Sequence, residues 1–68
     1  MTARELRKIL KAHGCVEVRQ SGSHLFVRCD ECTTVVVVKK GEDLRTGTLR
    51  AIERQLEACL GKDWLNAR

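Results

Sequence analysis

The chain opens on a helical pattern. Leu6, Ile9, Leu10 and His13 fall at i, i+3, i+4 and i+7, with Arg4, Arg7, Lys8 and Lys11 on the other sides, which predicts an amphipathic helix over residues 2 to 13. Thr2, with Glu5 three residues on, makes a capping box, and Gly14 supplies the stop. The period then falls to two. From Cys15 to Gln20, Val16 and Val18 alternate with Glu17 and Arg19, as in a half-buried strand. After the "SGS" break, residues 23 to 29 alternate again, with Leu25 and Val27 on one face and His24, Phe26 and Arg28 on the other. "TTVVVVKK" predicts a third strand. Its run from Val35 to Val38 is apolar on both faces, which implies that something, such as a partner chain, also covers the second face.

"GEDLRTG" is a loop into a second helix from about Gly47, N-capped by Thr46, with a stripe of Leu49, Ile52, Leu56 and Cys59 or Leu60, and ended by Gly61. Trp64 and Leu65 in the tail "KDWLNAR" either fold back onto the helices or are presented to a partner. The predicted class is therefore α+β, in the order α-β-β-β-α. A three-stranded antiparallel sheet carries two helices on one face, because only that arrangement buries both stripes in a single core. This is the element order of a double-stranded RNA-binding domain.

Sixty-eight residues make one domain, 1–68, too small to enclose a deep pocket. Chemistry must then sit on an open face or in a groove shared with a partner, which suits a polymeric substrate better than a small metabolite. Thirteen Lys and Arg against nine Asp and Glu leave a formal charge of +4, which favours polyanions. The start of the chain has no signal-like apolar run and no stretch is long enough to span a bilayer, so a cytoplasmic location is expected. There the four cysteines are expected as reduced thiols rather than a disulfide framework, although their even number leaves pairing open.

Cys29 and Cys32 form a CxxC, the spacing of half a zinc site. Cys15, Cys59 and His13 do not supply a second half-site spacing, so neither metal nor cofactor is expected. The CxxC reads instead as a hairpin turn with two facing thiols. His13, at the last turn of the first helix, reads as structural, held there by the helix dipole. Arg50 and Arg54 read as solvated helix surface.

His24 is the residue with chemistry to offer. Strand parity places it opposite Leu25 and Val27, hence on the open face and outside the core. Imidazole, with an ordinary pKa of about 6.5, can take a proton from a ribose 2'-hydroxyl or give one to a leaving oxygen. Arg19 and Arg28 lie close enough in sequence to neutralise a phosphate beside it. The N-terminus of the second helix, at Gly47 and Thr48 with Arg45 beside them, offers backbone N–H groups to a second phosphate.

"GSHLFV", followed by a β run and then "GEDLRTGTLRAI", resembles the HicA family of toxin ribonucleases, in which Gly-Ser-His opens the second strand and Gly-Thr-Leu opens the second helix. The resemblance runs from "ELRKILKAHGC" to "GTLRAIERQL", nearly the whole chain. It implies a fold like a double-stranded RNA-binding domain and a toxin endoribonuclease, or mRNA interferase, that cleaves messenger RNA. A HicB-type antitoxin is implied as the partner that covers the active face. The family's catalytic histidine falls on His24, with Gly22 and Ser23 as the turn that aims it. One departure stands out: many relatives carry a Pro-x-His segment after the third strand, where this chain has Lys39 and Lys40. The expected mechanism is metal-independent, with His24 assisting 2'-hydroxyl attack and Lys39, Lys40 or Arg28 stabilising phosphoryl charge. The competing readings are a non-catalytic double-stranded RNA-binding module and a protein-interaction domain built on the valine-rich strand and Trp64.

Overall fold

The computed structural model describes residues 1–39 and 43–65. Within them the order is α1 (Ala3–Ala12), β1 (Val16–Ser21), β2 (His24–Cys29), β3 (Cys32–Val37), α2 (Thr46–Gln55) and a short α3 (Glu57–Leu60). The strands form one antiparallel sheet in the order β1-β2-β3. Leu6 and Leu10 of α1 and Ile52 of α2 share a core with Leu25, Val27 and Val36 of the sheet, so both helices cover one face and the other stays open. The fold is α+β, as the periodicities predict.

The capping box at the start of α1 is formed. The Thr2 hydroxyl accepts from the Glu5 N–H at 3.2 Å, and the Glu5 carboxylate accepts from the Thr2 N–H at 2.8 Å, satisfying two donors that a helix start otherwise leaves unpaired. At the other end Gly14 takes φ +86°, so the chain reverses and the Cys15 N–H reaches the Leu10 carbonyl at 3.0 Å.

β2 and β3 alternate as expected, with Leu25, Val27, Cys29, Thr34 and Val36 turned to the helices. Thr34 escapes an unpaired burial by donating its hydroxyl to the Gln55 side-chain carbonyl of α2.

β1 departs from the alternation. Glu17 pairs with Val27 and Arg19 with Phe26, which leaves Val18 as an extra, unpaired residue in a β-bulge. The inserted residue resets the parity, so Val16 and Arg19 both lie on the open face while Glu17 and Gln20 lie on the helix side. Val16 and Val18 are consequently 54% and 53% exposed rather than half-buried core residues.

The second helix differs from expectation at both ends. It begins at Thr46, its N-cap is Arg45, and no side chain caps it, so Thr46 is the first helical residue and not the cap. It breaks at Leu56, with φ −102° and ψ 3°, and resumes as α3 before Gly61. The tail folds back: Trp64 is 5% exposed, its indole N–H donates to the Glu53 carbonyl at 2.9 Å, and His13 meets its ring edge-on at 5.6 Å.

The expectation of reduced thiols does not hold. Cys15 is bonded to Cys29 and Cys32 to Cys59. Cys29 and Cys32 do face each other across the β2–β3 hairpin, but each sulfur is taken by a different partner. Extending the β1–β2 register by one residue sets Cys15 opposite Cys29, and the break at Leu56 carries Cys59 toward β3. The two bonds staple a core that is small for want of residues.

Candidate nucleic-acid interface

His24 is the first residue of β2 and stands exposed on the open face, opposite Ser21 on one side and Val37 on the other. The two-residue Gly22–Ser23 connection places it there. Gly22 takes φ +59° and Ser23 does not take a positive φ, the combination a type II′ hairpin turn uses. Only a residue without Cβ adopts that first position freely. The turn is tied on both flanks: the Gln20 side-chain amide donates to the Gly22 carbonyl at 2.9 Å, and the Val38 N–H donates to the Ser23 carbonyl at 2.7 Å. His24 is thus presented from an anchored corner and not from a free loop.

The second of these bonds also brings Lys39 to the corner, since it follows Val38 directly and is exposed. Arg19 lies diagonally across from His24, paired with Phe26, and its guanidinium carbon sits over the Phe26 ring at 4.4 Å from the centroid. Arg28 is on the same face but four residues along β2, about 13 Å away at the rise of a strand. It is too far to share a phosphate with His24. Lys40 lies outside the described residues.

Arg45, Gly47 and Thr48 are exposed at the start of α2, in the helix layer. That end of α2 is held against the start of α1, where the Leu44 N–H donates to the Met1 carbonyl at 2.7 Å and Thr2 bridges Asp43. None of the described contacts joins these residues to His24.

The open face is positive and apolar at once. The residues that the register turns to it are Val16, Arg19, Ser21, His24, Phe26, Arg28, Thr33, Val35 and Val37, and none is acidic. The nearest acid in sequence, Glu17, is turned to the helix side by the bulge, where Arg7 holds it through two hydrogen bonds of 2.7 and 2.9 Å. That pairing lowers the Glu17 carboxyl below its usual range and raises the Arg7 guanidinium, in both cases chiefly through the hydrogen bond. Alternation, which separates β1 into Val16 and Val18 against Glu17 and Arg19, places Arg19 correctly on the open face but puts Val16 and Glu17 on the wrong sides. A one-residue bulge leaves no mark in composition.

The surface therefore belongs to a small protein that can meet an anionic polymer on an open sheet and place an imidazole against it. The family model for the HicA toxin of bacterial toxin-antitoxin systems matches residues 3–58, and the chain belongs to that family. Comparison with curated proteins and with solved structures gives no significant match. Among the described residues no helix is long and apolar enough to cross a membrane.

Proposed function

We propose that the chain, acting as a single domain over residues 1–68, is the toxin of a toxin-antitoxin pair and an endoribonuclease that cleaves messenger RNA in the cytoplasm without a metal. The observation that carries this reading is His24: an exposed imidazole on a face that carries no acid among the described strand residues, aimed by an anchored Gly22–Ser23 turn, in a chain of the HicA toxin family. His24 accepts the proton of a ribose 2'-hydroxyl as that oxygen attacks the adjacent phosphorus. The bond from phosphorus to the 5'-oxygen breaks, and the leaving oxygen takes a proton from Lys39 or from water. Lys39, one residue past the anchored Val38, and Arg19, paired with Phe26, offset charge on the phosphoryl oxygens, while Arg28 holds the strand further along. The products are a 2',3'-cyclic phosphate and a 5'-hydroxyl. A HicB-type antitoxin would neutralise the toxin by covering the same face, whose half-exposed valines Val16 and Val35 suit a protein partner.

The test is to incubate the purified chain, freed of co-purifying protein, with a long single-stranded RNA in EDTA beside a His24→Ala control, and to map the product ends. Cleavage that requires His24 and leaves cyclic phosphate supports the reading. Salt-sensitive binding with intact RNA would move the assignment to a double-stranded RNA-binding module, and absence of binding at low salt to a protein-interaction domain.

A further inference from the structure

We propose that Arg19 and Phe26 form a stacking platform for one unpaired nucleobase beside the nucleotide that His24 attacks, so that these two side chains choose the base at that position. The inference rests on RNA as the ligand of the open face and adds to it the subsite that reads a base.

Phe26 and Trp64 are the only aromatic residues of the chain, and Trp64 is buried with its N–H satisfied inside the fold. Apart from the His24 imidazole, Phe26 carries the one aromatic ring on the open face. It is two residues from His24 on the same strand and the same face, a step of about 6.7 Å. That is the scale of one nucleotide step along an extended strand, so a phosphate at His24 leaves the neighbouring base over Phe26 and its partner.

The ring is not bare. Arg19 lies across it, backed on one side by the aromatic face and exposed on the other. The hairpin register sets this pairing: counted back from Ser21 opposite His24, Gln20 meets Leu25 and Arg19 meets Phe26 before the bulge at Val18 is reached. No carboxylate among the described residues forms an ion pair with Arg19, so its charge is spent on the ring alone. A guanidinium held over an aromatic ring is a planar cation positioned before binding, and bases stack on arginine planes as they do on aromatic rings. The absence of acidic residues among the described residues of the face fits a polyanion better than an acidic or neutral protein segment.

Stacking of this kind requires an unpaired base, since a duplex covers both faces of every internal base. It also favours purines, whose larger π surface overlaps the guanidinium more fully. The structure thus couples a single-stranded substrate to a purine preference at one position next to the cut.

The experiment uses the full chain carrying His24→Ala, mixed with short single-stranded RNAs bearing 2-aminopurine at successive positions. Fluorescence of the base analogue reports stacking, and anisotropy of an end label reports overall binding. The expected result is strong quenching at one position and a weakening of binding by roughly ten-fold in Arg19→Lys, within the range stacking contributes. Arg19→Lys should abolish the quench yet preserve the salt dependence of binding, because the charge remains while the plane is lost. Phe26→Leu, which keeps an apolar side chain in place, should reduce the quench in the same way. RNA that binds with no quench at any position, or a quench that survives both substitutions, overturns the platform. So does a result in which both variants leave RNA untouched but weaken capture of a protein partner. Failure of the ribonuclease reading looks different: a quench dependent on Arg19 with RNA that the parent chain never cuts keeps the platform and removes the nuclease.

Discussion

Cys29 and Cys32 are directly paired across the β2–β3 hairpin, yet the first is bonded back to Cys15 and the second forward to Cys59. The hairpin is in this way the junction of two staples, one reaching the start of β1 and one reaching α3. Their sequence separations are 14 and 27 residues, for which loop-closure entropy alone gives about 3 kcal/mol each. For a core this small, that is a large share of the stability a domain has. Urea unfolding in the presence and absence of a strong reductant should show a loss of roughly 4–6 kcal/mol for both bonds together, taking each at about 2–3 kcal/mol. A reduced chain with an unchanged midpoint would mean the bonds contribute nothing.

Gly22→Ala separates aim from stability. No atom lies within 4 Å of a Cβ built there, so the substitution meets no clash and its effect is backbone strain at φ +59°. That strain is about 1–2 kcal/mol. The turn that presents His24 should shift to relieve it, so we expect a small drop in melting temperature and a disproportionate loss of RNA cleavage. Loss of stability with cleavage intact would show that the turn does not aim His24.

Arg28 and Lys39 should behave differently when each is changed to alanine. Arg28 is about 13 Å from His24 along the strand and can hold only a remote phosphate. Arg28→Ala should therefore raise KM, reduce the salt slope of RNA binding by about one, and leave kcat unchanged. Lys39, beside the anchored turn, should affect kcat. Single-turnover cleavage at several salt concentrations distinguishes the two.

How much of this was legible beforehand depends on the period. α1, β2 and the two-faced division of Leu25 and Val27 from His24, Phe26 and Arg28 follow from side-chain spacing, because nothing interrupts those elements. β1 was readable only to its bulge. One inserted residue turned Val16 to the open face and Glu17 to the helix side and left Val18 unpaired, and no residue type announces such an insertion. The break at Leu56 is equally silent, since leucine is a good helix former and the stripe continues through it. The cysteine pairing depends on both irregularities and on tertiary contacts, so spacing alone suggested a facing CxxC. His24 could be singled out because its parity and the glycine turn before it are both local features.

The Arg7–Glu17 pair gives a prediction with a pH signature. Glu17 faces α1 only because the bulge comes after it, and its carboxylate accepts two hydrogen bonds from the Arg7 guanidinium across the helix-strand gap. The side chains remain 42% and 32% exposed, so solvent screens the pair and its contribution to stability should not exceed about 1 kcal/mol. Arg7 lowers the folded-state pKa of Glu17 below its unfolded value. The contribution is therefore fully present above the unfolded carboxylate value of about 4.3 and is lost as pH falls through the lower folded value. Glu17→Gln should be less stable than the parent by a constant margin between pH 5 and pH 7, roughly the range where both states keep the carboxylate ionised. Below about pH 4 the two unfolding curves should begin to approach each other, meeting once pH has fallen through the lowered folded value, and added salt should narrow the gap at neutral pH. A margin that persists into acid would assign the effect to packing of the side chain and not to its charge.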